Sequence, residues 1–417
     1  MQYTEISNFT VSYLRDLFRD HYLHNPVTTT IAIETREVGI GDFGKKISSR
    51  HLAFRNNDEL NKFLINNTPF FMSYSTAYYK YPERRPMENK ILEGSDIVYE
   101  FDADDFDLPC KEEHDVWYCA SCGANGYGHK DICPECQGKL EVIEWVCDKC
   151  LGHAKSETLR LMDFLETDFK LDPKSLVISF SGSKGYHLRV TDKTIIPLSK
   201  SSRLQMMNYI QGKDIDLVKL GFEYKDRQWH CPNPDTKTGW SGKLMQFLKD
   251  YIQNMNEVQL KKDFNFTKPK INKLMEHKEV ILNKMYNNIL WHNFTSDSKQ
   301  DARFWEDLIN LAISKLSFKI DPMSSSDIYK IMRMPDTIHG GTGLLSSIIK
   351  DREDLEKFDA FSDPVIFRPD KNRKGEVIKP VPKFRLLDQW FGPYIVGEKV
   401  DLPEYASVYL LLKGVLK

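Results

Sequence analysis

Apolar and polar positions along the chain recur with two different periods, and the switches between them mark the elements. In "SYLRDLFRDHYL" (Ser12 to Leu23) the apolar residues return at helical spacing. "TTTIAIETREVGI" (Thr28 to Ile40) is β-branched and predicts a strand. "ELNKFLINNTP" predicts a short helix ended by Pro69, and "FFMSYSTAYYKYP" another strand. Ile97, Tyr99 and Phe101 then alternate with Val98, Glu100 and Asp102, as on a half-buried strand. Further on, "AKSETLRLMDFLETDF" puts Leu161, Phe164, Leu165 and Phe169 on one helical face, and "SLVISFSGSKGYHLRV" reads as strand, glycine-rich turn, strand. A lysine-rich helical region follows, then "LSFKID" as a strand ending in Asp321, a helix and the loop "HGGTG". This order predicts an α+β architecture rather than a regular βαβ winding. The expected segments are a first core part at 1–108, a cysteine-rich module at 109–152 and a second core part at 153–198. A helical subdomain or insertion at 199–300 and a third core part with the C-terminal tail at 301–417 complete the division.

Composition narrows the class. The chain has 417 residues, 41% of them hydrophobic, enough for a substantial core in two or three domains. No apolar run reaches membrane-span length, and "MQYTEISNFT" lacks the order of a signal peptide, so a cytoplasmic, nucleoid-associated location is expected. A formal net charge of −2 argues against a nucleic-acid coat protein but leaves room for a local basic groove.

Seven of the eight cysteines fall between Cys110 and Cys150, in the order Cys110-x3-His114-x4-Cys119-x2-Cys122-x10-Cys133-x2-Cys136-x10-Cys147-x2-Cys150. Each Cys-x-x-Cys pair can hold one edge of a tetrahedral ion, and eight ligands make two closed zinc sites of structural type. Equal gaps between the pairs leave the pairing open. In the nested arrangement Cys119, Cys122, Cys133 and Cys136 form a ribbon over a base of Cys110, His114, Cys147 and Cys150. In the sequential one, Cys110, His114, Cys119 and Cys122 bind one ion and the last four cysteines the other.

The strand at Ile97 runs into clustered acids. On a continuing strand Glu100, Asp102 and Asp104 point the same way, a ladder suited to hard divalent cations, although a solvated acidic strand end has the same pattern. In "FSGSKGYHLRV", Ser181, Ser183 and Lys184 offer hydroxyls, amides and a cation to a phosphate, with His187 just beyond. Downstream, Asp321 precedes two expected cations, Arg333 and His339, and a Gly-Gly-Thr-Gly loop. Three carboxylates for metal and several cations for phosphate point to a nucleotidyl-transfer site.

Together these segments resemble the catalytic (small) subunit of archaeal and eukaryotic DNA primases, the archaeal type most closely. The resemblance rests on Glu100-Phe-Asp102-Ala-Asp104, the turn from Ser181 to His187, Arg36-Glu37-Val38-Gly39, and Asp321 followed by Arg333-Met-Pro-Asp-Thr-Ile-His339-Gly-Gly-Thr-Gly343. It departs at Glu100, where the family usually has Asp, so the metal pair is Glu100 with Asp102 or, slid along the strand, Asp102 with Asp104. It departs again at Ser183, which stands where a basic residue is common.

The resemblance implies the archaeo-eukaryotic primase fold, a mixed β-sheet flanked by helices with an inserted zinc module, and it favours nested zinc pairing. It implies a DNA-dependent nucleotidyltransferase of the primosome that makes primers on single-stranded DNA from NTPs or dNTPs. Glu100, Asp102 and Asp321 would hold two Mg²⁺ or Mn²⁺, and Ser181, Ser183, Lys184, His187, Arg333, His339 and Arg36 would bind the nucleotide. A large subunit carrying an iron–sulfur cluster is the expected partner. A primase-like polymerase of repair or end joining, or a non-catalytic zinc-ribbon protein that binds nucleic acid, are the competing readings.

Overall fold

The first predicted helix runs from Asn8 to His24 (α1), with the Ser7 hydroxyl accepting the Thr10 N–H at 3.2 Å as its cap. Leu14, Phe18 and Tyr22, at helical spacing, are its buried face. The computed structural model describes residues 6–28, 32–292, 298–321 and 325–417. Part of the strand expected at Thr28 to Ile40 lies outside the described residues. Of the rest, Ile33–Thr35 is a 3-10 turn and only Val38–Asp42 (β1) is strand.

β1 pairs with Lys45–Leu52 (β2) and with Phe71–Ser75 (β3). The strand expected across "FFMSYSTAYYKYP" breaks after Ser75, and Ala77–Tyr79 pairs elsewhere, with Leu92–Ser95. Ile97–Asp102 (β4), Leu176–Phe180 (β5) and Gly185–Val190 (β6) form as the alternation predicts, β5 and β6 as a hairpin. Ile331–Arg333 (β7) and Ile348–Ile349 (β8) are the remaining short partners. Two four-stranded sheets result, in the orders β7-β3-β1-β2 and β8-β5-β6-β4. Every strand pairing among the described residues is antiparallel, which corrects the expectation of a mixed sheet.

The chain divides into two compact units, one of Met1–Met162, Asp172–Arg203 and Met323–Lys417, the other of Asp163–Leu171 and Leu204–Pro322. The second overlaps the region expected as a helical subdomain at 199–300 from Leu204 onward, and it also carries a small three-stranded sheet of Glu223–Lys225, Gln228–His230 and Ile289–Leu290. "LSFKID" is not a strand. Its Leu316 closes the helix Ser298–Leu316, and the chain from Phe318 to Asp321 has no regular structure. The apolar tail is a short helix, Glu404–Leu412, buried along its whole length within the first unit. No helix of the described residues is long and apolar enough to cross a membrane.

Candidate active site

Register across β4 and β6 builds the centre of the site. Glu100 stands opposite His187, and Asp102 opposite Gly185. Gly185 is needed there: a Cβ would meet the Phe101 carbonyl at 1.9 Å and Asp102 Oδ1 at 2.8 Å. β4 ends at Asp102, and Ala103–Asp105 turns as a 3-10 helix, so Asp104 is not a third rung on the strand. The ladder contracts to Glu100 and Asp102, with Asp104 swung onto the adjoining turn.

The three acids differ in their partners. Glu100 pairs with Lys330 and has His187 Nε2 3.8 Å from its Oε1. Asp104 receives Lys184 Nζ at 2.8 Å, and that ammonium also pairs with Glu144. Asp102, between them, has a buried oxygen, Oδ1, with no hydrogen-bond partner among the described residues. A buried acceptor in that position is costly. Burial, reinforced by the charges of Asp104, Glu100 and Asp105, pushes the Asp102 carboxyl up to about 7. Acids that repel one another around an unpartnered oxygen fit a hard divalent cation.

The glycine turn is organised by Ser181, whose Oγ accepts the N–H groups of Ser183, Lys184 and Gly185 at 3.2–3.3 Å. The expected phosphate-facing hydroxyl is therefore committed to shaping the turn. Gly182, at φ +80°, lies against the HGGTG loop, where a Cβ would meet His339 Cβ at 2.7 Å. Thr342 Oγ1 donates to the Gly182 carbonyl at 2.5 Å, locking turn and loop together.

Both histidines are neutral at neutral pH, which corrects the reading of His339 as a cation. Burial holds His187 at about 4, helped by Lys330, Arg333 and Arg189 against the opposing pull of Glu100. Burial, with Arg333 and Lys46 adding to it, holds His339 well below its ordinary value. The Gly341 N–H lies 3.2 Å from His339 Nδ1, which makes Nδ1 the acceptor and leaves Nε2–H as the ring's donor. Arg333 stays charged, lowered by burial only to about 10; its guanidinium lies 4.9 Å over the Phe71 ring.

Arg36 is fully buried. Its guanidinium donates to the carbonyls of Ser75 and Thr76, at 3.1 and 2.7 Å, and to Asp96 Oδ2 at 2.8 Å. Asp96 also receives Arg189 at 2.6 Å and the Tyr78 hydroxyl at 2.8 Å. Arg36 belongs to this interior hub rather than to a nucleotide pocket. Asp321 is exposed and lies in the second unit.

Two sets of side chains can each hold a metal ion: Cys110, His114, Cys147 and Cys150, and Cys119, Cys122, Cys133 and Cys136. The pairing is the nested one. Cys110 Sγ lies 3.4 Å and Cys147 Sγ 3.7 Å from Cys150 Sγ, and the ribbon gives 3.5 and 3.6 Å for Cys119–Cys136 and Cys122–Cys133. Tetrahedral thiolates about 2.3 Å from zinc are about 3.8 Å apart, so the spacing suits that ion. His114 keeps Nε2 on the cysteine side, 3.2 Å from Cys150 Sγ, because Nδ1 faces Asp115 at 3.0 Å. Asp115 also accepts the Trp145 N–H at 2.9 Å and pairs with His129 at 2.7 Å.

Lys330, Glu144 and Asp96 were not singled out by sequence. Lys330 carried one signal, a cation just upstream of Arg333, while no local pattern marked Glu144 or Asp96.

Residues 137–351 match the family model described as DNA primase small subunit. Among known proteins, the DNA primase small subunit of Methanothrix thermoacetophila is 26% identical, covering 97% of this chain and 98% of its own length. That of Cenarchaeum symbiosum is 28% identical over 95% and 94% of the two chains, and that of Picrophilus torridus 28% over 96% of each.

Proposed function

The chain belongs to the DNA primase small-subunit family, and on that premise we propose that it is the catalytic subunit of a primase working by two-metal nucleotidyl transfer. It would act on NTPs or dNTPs over a single-stranded DNA template, at the replication fork in the cytoplasm. The family implies a large-subunit partner, and an iron–sulfur cluster in that partner is part of the proposal. The observation that carries the metal reading is the buried, unpartnered Oδ1 of Asp102 between two further acids.

Glu100 and Asp102 would hold Mg²⁺ or Mn²⁺, which supply charge neutralisation and a lowered pKa for the attacking 3′-hydroxyl. That oxygen forms its bond to the α-phosphorus of the incoming nucleotide as the bond to pyrophosphate breaks. Arg333 brings permanent charge to the triphosphate. Neutral His187 and His339 contribute as hydrogen-bond donors, with His339 presenting Nε2–H. Ser181 shapes the turn on which Ser183 and Lys184 meet the phosphates. Zinc is the proposed ion of both cysteine sites, whose closed ligand sets leave no position for substrate.

Primer synthesis on a single-stranded template, with Mg²⁺ or Mn²⁺ and each nucleotide type, tests the reading. The unaltered chain is expected to make primers, and Asp102→Asn to lose activity by orders of magnitude. Near-normal synthesis by Asp102→Asn would overturn the metal assignment.

A further inference from the structure

Lys330 stands at the head of β7 with its backbone held: its carbonyl accepts the Thr76 N–H at 2.9 Å and the Thr76 hydroxyl at 3.2 Å. From that anchor its ammonium reaches Oε2 of Glu100, while His187 Nε2 lies 3.8 Å from Oε1. The Lys330 side chain is 17% exposed and that of Glu100 30%, so solvent screens this pair far less than a surface pair. Lys184 takes the corresponding place on the other side, against Asp104 and Glu144. The acids are thus bracketed by two lysines, each tied to an outer carboxylate, and the middle one has the unpartnered oxygen.

We propose that Lys330 is a catalytic-site cation that shares the Glu100 carboxylate with the divalent ion, and by competing for it sets how tightly that ion is held; this rests on the two-metal reading above. The reason is elementary. An ammonium and a divalent ion repel strongly at contact distances in a half-buried site, so each weakens the other's hold on one carboxylate. A triphosphate offers the ammonium a second acceptor. Divalent ion arriving with nucleotide therefore meets less competition than divalent ion alone, and Lys330 couples metal loading to nucleotide arrival.

The test is Mn²⁺ titration of the zinc-loaded full chain without nucleotide, followed by calorimetry and by thermal denaturation. Lys330→Met is expected to bind Mn²⁺ more tightly, on the order of tenfold, because it removes a like charge. Lys330→Gln, which keeps a hydrogen bond to Glu100 but no charge, should bind more tightly as well, and Lys330→Arg should behave as the unaltered chain. With Glu100→Gln in the background, Lys330→Met should bring a smaller gain, since competition for the shared carboxylate is gone and only the repulsion between the two cations is relieved. A purely structural lysine predicts the opposite sign: unchanged or weaker Mn²⁺ binding in folded Lys330→Met or Lys330→Gln overturns the inference. Asp102→Asn separates the two readings. If it binds Mn²⁺ as tightly as the unaltered chain, the metal site itself is misassigned; if it loses Mn²⁺ while the Lys330 variants are unchanged, only the role of Lys330 fails.

Discussion

Asp102 illustrates how one strand position acquires its chemistry from its neighbours. Its sequence identity says carboxylate; its burial and the adjoining acids raise it to about 7. A carboxyl that titrates higher in the fold than in the unfolded chain binds its proton more tightly when folded. It favours the fold at low pH, and that contribution is lost as pH rises through about 7. Asp102→Asn, which is isosteric and always neutral, should therefore raise the melting temperature at pH 8 in buffer without Mg²⁺ or Mn²⁺, with little difference near pH 4. Melting curves across that range check it. The register argues for the neighbouring departure as well: Glu100 shares the strand with Asp102, whereas Asp104 lies on the turn. Glu100→Gln should be as inactive as Asp102→Asn, and Asp104→Asn should retain much of its primer synthesis; the reverse ranking would move the metal pair along the chain. Arg36 belongs to a different kind of site. Removing it leaves Asp96 buried with a missing partner, so Arg36→Ala should cost about 3 kcal/mol of stability in denaturant titrations. Arg333→Ala should instead raise the apparent KM for nucleotide and lower kcat while leaving stability nearly unchanged.

The elements around the cysteines carry unequal loads. The base ligands Cys110 and Cys150 are buried with Ala103, the residue between Asp102 and Asp104. The ribbon cysteines Cys119 and Cys133 pack instead with Trp117 and Leu140, within the module itself. Metal at the base would consequently tie the module to the acidic turn, while metal in the ribbon would shape only the ribbon. Metal analysis should find two ions per chain. Cys147→Ser should impair folding more than Cys133→Ser, as compared by soluble yield and melting temperature. Much of this was legible beforehand, because Cys-x-x-Cys spacing is local chemistry. Spacing alone left nested and sequential pairing open, since equal gaps in sequence place no constraint on which knuckles meet in space; only the family resemblance favoured the nested one.

At the scale of the first compact unit, a run of contacts joins the cluster of Cys110, His114, Cys147 and Cys150 to the turn from Ser181 to His187. His114 meets Asp115, Asp115 accepts the Trp145 N–H, and the preceding residue, Glu144, pairs with Lys184. Although burial works against its charge, the hydrogen bonds to Asp104 and Glu144 hold the Lys184 ammonium above its ordinary value. Glu144→Gln should free Lys184 from one of its two acids and change the KM for nucleotide without altering the metal content. Steady-state kinetics beside metal analysis would show whether the two properties separate in this way.

What the sequence determined by itself was whatever depends on near neighbours in the chain: β4 and the β5–β6 hairpin from their alternation, α1 from its helical period, the metal-ligand types from the cysteine spacing. Its errors came where local pattern and long-range contact disagree. The β-branched Ile33 and Thr35 lie in a 3-10 turn and not in a strand, and an acid two residues past Asp102 does not continue a ladder once the backbone turns. Only tertiary structure could decide the charge states and the partners. Neutral His187, the unpartnered oxygen of Asp102 and the lysines on either side of it arise from groups distant in sequence that fold against one another, where burial and neighbouring charge outweigh what each residue would do alone.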